Sequence, residues 1–320
     1  MKAMRNICLS TLPFLFVVAE IRAQGVPNPS ENIDFLVTYG QNAMKTKGDD
    51  DNVQVIFFLV PPSQKGPVYI RVFDPDIGGK YDDISGEVDT KSKFSLYGGI
   101  GTFSNKEARG ADPKGNYKSG ILLATKSFGS DPTLDGGWYV FGPINPMEGE
   151  NVQAVGGHVF KMIVEGLPGN DGNVYTFFLS AERDKNIEVE GANAFAFEYT
   201  FRLLEKEKVT HIYPFIEQSV VSITQHNYDF DEDGEILIYS ISKRHHKAAT
   251  SGDIHWASSQ HVMTKEEKNT TIDLQILKKT SEPNNIVVYI TNQYNEPVPF
   301  YAVPIGGPPK YKYKMSLNVK

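Results

Sequence analysis

The sequence predicts an all-β protein with two tandem β-sandwich domains, of the immunoglobulin-like or jelly-roll type, behind a signal peptide. Short runs rich in Val, Ile, Phe, Tyr and Thr recur along the chain, separated by Gly, Pro, Asn and Asp. Several runs alternate apolar and polar residues with the period of two that marks a half-buried strand. No long segment shows the 3.6-residue period of an amphipathic helix.

The first 23 residues have the pattern of a secretory signal peptide. Two basic residues precede an apolar run from residue 7 to residue 19, and the small residue Ala23 lies at the expected cleavage position. The pattern predicts a secreted, periplasmic or cell-surface protein. The single cysteine, Cys8, lies in this segment, so the mature chain would depend on core burial or bound ions rather than on disulfides.

Charge and hydropathy limit the expected partners. The net charge is −7 and no basic tract stands out, which argues against nucleic acid as a partner. After residue 23, no segment is long and apolar enough to cross a membrane. We therefore expect the partner to be an extracellular protein or a glycan.

The predicted strands form two sets, and the charged stretch "LLEKEKVTHIYPF" lies between them. The first set comprises residues 33–38, 53–60, 68–73, 94–96, 121–128, 138–141, 158–165, 174–180 and 194–203. The second set comprises residues 220–224, 236–241, 271–277, 286–291, 300–303 and 311–319. We place one sandwich at residues 26–206 and the other at residues 207–320. In the strand at 194–203, every second residue from Phe195 to Leu203 is expected on one face.

Seven aspartates flank two neighbouring predicted strands. "GDDDN" precedes Val53–Val60, and "DPDIGGKYDD" follows Val68–Phe73. If the two strands form an antiparallel hairpin, Val53 lies opposite Phe73 and the acidic loops meet at one end of the sandwich. The aspartates that would gather there are Asp49, Asp50, Asp51, Asp74, Asp76, Asp82 and Asp83.

Three interpretations of this acidic cluster stay open. Carboxylates in flexible loops are the ligands that Ca²⁺ prefers, and the cluster would otherwise be self-repelling. Aspartates are also common turn residues that stay hydrated. A catalytic carboxylate pair is the third interpretation.

A second acidic motif, "DFDEDGEI", lies in the C-terminal part. Asp229, Asp231 and Asp233, followed by glycine, match the opening of an EF-hand loop. The acidic residue expected at loop position 12 is replaced by Ser240, and the flanks read as strands. The alternatives are therefore a Ca²⁺ loop completed by other residues or a hairpin turn at Asp233–Gly234.

Aromatic and histidine residues supply further candidates. Trp138, Tyr139 and Trp256 could stack on sugar rings if they are exposed, although aromatic residues also fill β-sandwich cores. Five histidines follow residue 225, but none shows the spacing of a zinc motif.

Two stretches, "GPVYIRVFDPDIGGKYDD" and "VFKMIVEGLPGNDGNVYTFFLS", resemble the strands of secreted bacterial β-sandwich modules of the pre-peptidase C-terminal type. The resemblance covers about residues 50–200. It implies a non-catalytic module, in some members of which acidic loops bind Ca²⁺. No peptidase domain precedes these residues here, which departs from the usual arrangement of that family.

The sequence as a whole predicts a secreted, non-enzymatic protein, stabilised by Ca²⁺, that binds an extracellular or cell-envelope partner. The alternative is a carbohydrate-active protein, either a sugar-binding module or a glycoside hydrolase that uses the acidic cluster. A purely structural envelope component is the third hypothesis. The nucleophile-elbow, P-loop and dinucleotide motifs are absent.

Overall fold

The computed structural model describes residues 25–110, 113–203, 208–281 and 284–307. The signal-peptide segment and the predicted strand at 311–319 lie outside this part. The strands are β1 (Gly25–Val26), β2 (Leu36–Tyr39), β3 (Val53–Val60), β4 (Val68–Phe73), β5 (Ser92–Gly98), β6 (Ile121–Phe128), β7 (Trp138–Ile144), β8 (Glu150–Val152), β9 (Gly157–Gly166), β10 (Gly172–Ser180), β11 (Asn193–Ala196), β12 (Glu198–Leu203), β13 (Val209–Ile212), β14 (Phe215–Ile216), β15 (Ser222–Tyr228), β16 (Gly234–Tyr239), β17 (His246–Ala248), β18 (Trp256–Val262), β19 (Thr270–Thr271), β20 (Asp273–Lys278), β21 (Asn284–Asn292) and β22 (Phe300–Tyr301).

Helical structure in the described residues consists of short 3₁₀ turns, at Lys45–Lys47, Lys106–Arg109, Pro146–Glu148 and Lys265–Glu267. The all-β prediction is therefore confirmed. None of these helical turns has the length and hydropathy that a membrane-spanning helix requires.

The strands pair antiparallel in two large and two small sheets. A nine-stranded sheet has the order β18-β15-β21-β12-β2-β10-β4-β7, with β1 also paired to β10. A seven-stranded sheet has the order β22-β11-β3-β9-β5-β6, with β8 also paired to β9. The small sheets are β13-β20-β16-β17 and β14-β19.

One hydrophobic core joins the inner faces of the nine-stranded, seven-stranded and four-stranded sheets. It contains Phe177 from the nine-stranded sheet, Phe58 from the seven-stranded sheet and Ile276 from the four-stranded sheet, all at most 1% exposed. The Phe58 and Phe177 rings meet across the first pair of sheets with centroids 5.8 Å apart. This layered packing of antiparallel sheets is the β-sandwich arrangement.

The nine-stranded sheet includes strands from both predicted domains. β12, from the N-terminal part, pairs with β21, from the C-terminal part, over six residues from Glu198 to Leu203. The two parts of the chain are thus hydrogen-bonded into one sheet across the expected boundary at residues 206 and 207. The division into two domains stays a prediction.

The predicted strand at 194–203 is divided between two sheets. β11 pairs with β3 in the seven-stranded sheet, whereas β12 pairs with β21 and β2 in the nine-stranded sheet. As a result, Phe195 packs on the outer face of the seven-stranded sheet, while Tyr199 packs in the main core. The expectation that all these alternate residues share one face is therefore wrong, because the chain changes sheets near Phe197.

The predicted hairpin of Val53–Val60 and Val68–Phe73 is also wrong. β3 pairs with β9 and β11, and β4 pairs with β10 and β7. Both strands have the expected bounds, but they lie in different sheets of the sandwich. Val53 is opposite Glu165 and Phe73 is opposite Thr176 and Trp138.

The outer face of the seven-stranded sheet carries a separate apolar cluster. It includes Phe57, Phe195 and Tyr301, and half-buried Phe103 packs against it. Phe103 belongs to the long β5–β6 connection. Buried Lys161, on β9, donates hydrogen bonds to Tyr117 O at 2.5 Å and Ser119 O at 2.8 Å in this connection. These bonds fasten the connection to the sheet.

Candidate metal centre and aromatic face

The connection from β15 to β16 carries the motif "DFDEDG" and is held in place by its central aromatic residue. Phe230 is fully buried in the main core. Its backbone N–H donates to Ser251 Oγ at 2.9 Å, which ties the loop to the β17–β18 connection. Asp229 and Asp231 have φ values of 60° and 57°, a left-handed conformation that aspartate adopts more readily than most residues. The two carboxylates therefore flank a fixed anchor.

Three carboxylates converge at this loop. Ligand atoms of Asp229, Asp231 and Asp253 all lie within 4.8 Å of one another. Asp229 is 1% exposed, while Asp231 and Asp253 are exposed. Asp229 Oδ1 accepts a hydrogen bond from Ile254 N at 2.7 Å. Asp229 Oδ2 is buried and has no hydrogen-bond partner, so this oxygen lacks the partner that a buried polar atom normally has.

Sheet register explains why Asp253 joins the other two. Tyr228 at the end of β15 is opposite Trp256 at the start of β18. The residues that follow Tyr228 therefore lie beside those that precede Trp256. We name Asp229, Asp231 and Asp253 the 229–253 triad.

The charges of the 229–253 triad oppose one another. The pKa of Asp229 is raised to about 6, mainly by burial; the Ile254 hydrogen bond lowers it, and the negative charges of Asp231 and Asp253 contribute to the rise. The pKa of Asp231 is also raised, first by burial and then by Asp253 and Asp233. A bound cation would remove this repulsion and stabilise the ionised carboxylates.

Asp233, the third predicted ligand of this motif, faces elsewhere. Its carboxylate accepts hydrogen bonds from Thr280 N at 2.8 Å and Thr280 Oγ1 at 2.5 Å. The alternative of a hairpin turn at Asp233–Gly234 is wrong, because β15 and β16 lie in different sheets. Asp233 instead connects the start of β16 to the residue after β20.

A second triad is formed by consecutive residues before β3. Ligand atoms of Asp49, Asp50 and Asp51 also lie within 4.8 Å of one another. Asp49 is 4% exposed, and its carboxylate accepts hydrogen bonds from Tyr39 N at 2.8 Å, Asn52 N at 2.8 Å and Asp51 N at 3.3 Å. Burial nevertheless raises the pKa of Asp49 to about 6. The backbone bonds give Asp49 a structural role in fixing this turn.

The four aspartates of "DPDIGGKYDD" bind protein donors and do not join either triad. Each carboxylate fixes another part of the chain: Asp74 accepts from Gly136 N at 2.7 Å, Asp76 from Asp131 N at 3.0 Å, Asp82 from Val174 N and Gly78 N at 2.8 Å each, and Asp83 from Tyr39 Oη at 2.6 Å and Lys47 Nζ at 3.2 Å. The structure therefore does not bring all seven N-terminal aspartates around one point, and calcium binding by them stays a prediction. The strand runs into acidic residues because these carboxylates hold the loops of the sandwich together.

Three of these aspartates still form an acidic neighbourhood. The pKa of Asp82 is raised to about 8, mainly by burial; two backbone hydrogen bonds lower it, and the charges of Asp74 and Asp76 contribute to the rise. Burial likewise raises the pKa of Asp74 to about 6. Asp74 Oδ2 and Asp76 Oδ1 are buried without hydrogen-bond partners. A cation would relieve this repulsion too, but the described ligand atoms here do not form a set as close as the two triads.

Trp256 belongs to an aromatic surface on the nine-stranded sheet. It is 40% exposed, and its ring lies 5.1 Å from that of Tyr289 on β21. Tyr289 stacks on His226 of β15, with ring centroids 4.3 Å apart and planes 14° apart. Sequence reasoning found Trp256 as a sugar-binding candidate but missed Tyr289, and it considered His226 only as one of five clustered histidines. Strand pairing brings all three together. We name Trp256, Tyr289 and His226 the aromatic face.

The aromatic face adjoins the acidic residues. The Trp256 ring lies 5.3 Å from that of buried Tyr228. Burial raises the pKa of Tyr228 to about 12, and negative charges in both triads contribute, namely Asp229, Asp50, Asp253 and Asp49. Tyr228 thus lies within the electrostatic reach of both triads and in ring contact with the aromatic face.

Trp138 and Tyr139 are placed differently. The guanidinium carbon of Arg71 lies 4.6 Å from the Trp138 ring centroid, and the Phe73 ring lies beside it at 5.4 Å. Tyr139 packs against the main core and contacts Phe128, with ring centroids 4.9 Å apart. Both residues are half-buried, so they offer less open surface for a sugar ring than Trp256.

No protein-family model matches this chain, and no curated protein sequence matches it. The resemblance to pre-peptidase C-terminal domains therefore stays a prediction.

Proposed function

We propose that this chain is an exported, non-enzymatic binding protein whose C-terminal loops are ordered by Ca²⁺ in the 229–253 triad. The observation that carries the proposal is the buried Asp229 Oδ2, which has no hydrogen-bond partner and lies beside two further carboxylates. A buried charged oxygen without a partner is costly. A cation held jointly with Asp231 and Asp253 supplies the missing partner.

The donor set fits calcium. All three side chains are carboxylates, and hard oxygen ligands are those that Ca²⁺ prefers. The exposure of Asp231 and Asp253 leaves room for water to complete the six to eight ligands that Ca²⁺ takes. Mg²⁺ demands a stricter octahedral geometry. Export would bring the site into compartments where calcium is plentiful enough for weak sites.

The close grouping of the triad suits a shared cation. Ligand atoms of its three carboxylates all lie within 4.8 Å of one another, and Ca²⁺ takes oxygen ligands from several carboxylates at once. We therefore propose a binding role for this site.

The exposed Trp256 favours a glycan as the partner. Trp256 and Tyr289 present aromatic surface beside exposed Ser258 and Gln260, which point to the same side of β18 as Trp256. Flat apolar rings next to hydroxyl and amide groups suit a sugar, which has an apolar ring face and polar edges. A glycan on the aromatic face is thus our proposal for the extracellular partner.

Calorimetry tests the calcium proposal. Isothermal titration of chelator-treated protein with CaCl₂ should give saturable binding, and excess Ca²⁺ should raise the thermal unfolding temperature. At a hundredfold excess over Kd, the stabilisation is about 2.7 kcal/mol. An Asp253→Asn variant should lose the response, whereas Asp233→Asn should keep it, since Asp233 binds Thr280. Absence of calcium binding by the wild-type protein at millimolar concentration would contradict the proposal.

A glycan array tests the partner proposal separately. Wild-type protein should retain at least one glycan, and Trp256→Ala should lose it. Val262→Ser is the matched control, because Val262 is 73% exposed at the other end of the same strand. Equal retention by Trp256→Ala and wild-type protein would remove the aromatic face from consideration, without bearing on calcium.

A further inference from the structure

A cavity of about 170 Å³ lies against the outer face of the seven-stranded sheet, the face that points away from the main core. Its lining comes from both sides of residue 206, including Phe103, Phe197, Phe215 and Tyr301. Ligand pockets often form where separate structural units adjoin. The acidic triads contribute no residue to this lining, so the cavity is a separate feature.

The floor of the cavity is a fixed aromatic cluster. Phe195 is fully buried, and Phe197 and Tyr301 are each 5% exposed. The Phe195 ring lies 5.2 Å from Tyr301 and 5.8 Å from Phe103. The rings that a ligand can reach are half-buried Phe103 and the slightly exposed edges of Phe197 and Tyr301. Buried Phe195 lies behind them and holds this apolar surface in place.

Arg109 brings a positive charge to this apolar surface. Its guanidinium carbon lies 5.0 Å from the Phe103 ring centroid. Its Nε atom is buried and has no hydrogen-bond partner. Within the described residues, no ion pair involves Arg109. A guanidinium with five donors in a planar fork is suited to a carboxylate.

The other charged groups of the lining differ from Arg109. Lys106 pairs with Glu296 at 3.3 Å, and both side chains are exposed. Asn292 also donates to Glu296, at 3.3 Å. Glu217 lines the cavity as well, and its charge contributes to raising the pKa of Tyr301 to about 12, an effect that burial dominates. Arg109 is near enough to Glu296 to contribute to lowering the pKa of that carboxyl, after Asn292 and Lys106. Among the described residues, however, no carboxylate forms an ion pair with its guanidinium, which therefore keeps donors for a ligand anion.

We propose that this cavity binds a small aromatic carboxylate, with the ring on the aromatic floor and the carboxylate on the Arg109 guanidinium. The volume is suitable, because an apolar protein cavity of about 150 Å³ takes benzene. The cation–ring contact with Phe103 keeps Arg109 beside the floor. The proposal is independent of the calcium site and of the aromatic face.

Two sources could supply this chemistry: a free aromatic acid or the C-terminal residue of a peptide that ends in phenylalanine. Both present a ring and a carboxylate a few bonds apart. A C-terminal carboxylate captured by a basic side chain is a known mode of peptide recognition. The two sources are distinguished by one probe each, a free aromatic acid and a peptide that ends in phenylalanine.

The test uses saturation-transfer NMR and calorimetry with phenylacetate on the full mature chain at low salt. Phenylacetate should bind with a Kd of about 1 mM or tighter, and neutral phenylacetamide should bind at least about tenfold more weakly. Competition by a peptide ending in Phe, but not by its C-terminal amide, would assign the peptide source. Lack of competition would assign the free acid.

Variants locate the site. Arg109→Gln should weaken phenylacetate binding about tenfold or more, and Lys106→Gln, the matched control, should change it less than about twofold. Because Arg109 also contacts Phe103, circular dichroism must show an unchanged fold. Val155→Phe, which fills the cavity from its lining, should block binding without altering charge. No binding of phenylacetate at about 10 mM, or equal binding by wild-type, Arg109→Gln and Val155→Phe proteins, would overturn the proposal.

Discussion

Replacing Asp229 by asparagine tests the charge balance of the 229–253 triad, because it should act in opposite directions with and without calcium. The asparagine side chain has nearly the same shape as that of aspartate. Its oxygen can still accept from Ile254 N, as Asp229 Oδ1 does at 2.7 Å. Its NH₂ group would occupy the position of the partnerless Oδ2 and could donate to Asp231 or Asp253.

The size of the effect without calcium follows from the pKa of Asp229. Burial and neighbouring charge raise this pKa from 3.8 to about 6, so the folded state favours the protonated form. The ionised form therefore destabilises the fold. This destabilisation grows as the pH rises from about 4 to about 6 and reaches its full value above pH 6. The full difference corresponds to about 3 kcal/mol. Since Asp231 and Asp253 are exposed and screened by water, we expect about 1–2 kcal/mol.

In chelator at pH 7.5, the Asp229→Asn protein should thus be more stable than wild type by about 1–2 kcal/mol, or roughly 2–4 °C in unfolding temperature for a chain of this size. In excess Ca²⁺ the order should reverse. Wild-type protein gains about 2.7 kcal/mol at a hundredfold excess over Kd, and the variant, which lacks a ligand charge, gains little. Thermal unfolding monitored by circular dichroism gives the unfolding temperatures of both proteins in both buffers.

The same experiment at pH 4.5 provides an internal check, because protonation of wild-type Asp229 should remove most of the advantage of the variant. Asp233→Asn is the control variant and should shift stability equally in both buffers. The reasoning is refuted if Asp229→Asn is less stable than wild type in chelator at pH 7.5. It is equally refuted if the variant retains the full calcium response.

Three further predictions concern the scaffold. The carboxyl carbon of Asp82 should titrate near pH 8 by ¹³C NMR in chelator. Because burial raises this pKa, the contribution of Asp82 to stability should fall as the pH rises from about 4 to about 8. Titration near pH 4 would contradict this prediction. Lys161→Met should lower the free energy of unfolding in urea by about 1–3 kcal/mol, because two backbone carbonyls lose their donor. The variant should also undergo faster proteolysis in the β5–β6 connection. An unchanged rate of proteolysis would contradict this prediction. Phe58→Ala should cost about 3–5 kcal/mol, since its ring is fully buried between the two large sheets; a loss below about 1 kcal/mol would contradict the core assignment.

Several strand positions could be predicted from the sequence, whereas strand partners could not. Val53–Val60, Val68–Phe73 and Ile121–Phe128 have the predicted bounds, because apolar alternation and turn residues act locally. The loop between β3 and β4 is short enough for a hairpin, yet in this loop the chain crosses from the seven-stranded sheet to the nine-stranded sheet. Pairing depends on long-range burial, and a pattern of period two is satisfied equally by either partner.

The change of sheet near Phe197 shows how a regular pattern can conceal a corner. Aromatic residues at alternate positions suggested one face. In the structure, Phe195 is covered by the β5–β6 connection and Tyr199 by the main core. Both environments are apolar, so nothing in the alternation marks the point at which the environment changes. Strands that pass from one sheet to the other form such corners in β-sandwiches.

Only the local part of the candidate metal centre could be predicted, because the rest depends on which strands pair. Asp229 and Asp231 were found from their spacing within one loop, whereas Asp253 lies in a loop before a strand that the sequence did not reveal. β18 alternates exposed Trp256, Ser258 and Gln260 with residues that are themselves partly polar, so its apolar signal is weak. The rule that the end of one antiparallel strand lies beside the start of its partner was sound, but it applies here to β15 and β18, where Tyr228 is opposite Trp256. A shift of that register by one residue would turn Trp256 to the other face of the sheet, so the metal centre and the place of Trp256 in the aromatic face both depend on the β15–β18 pairing.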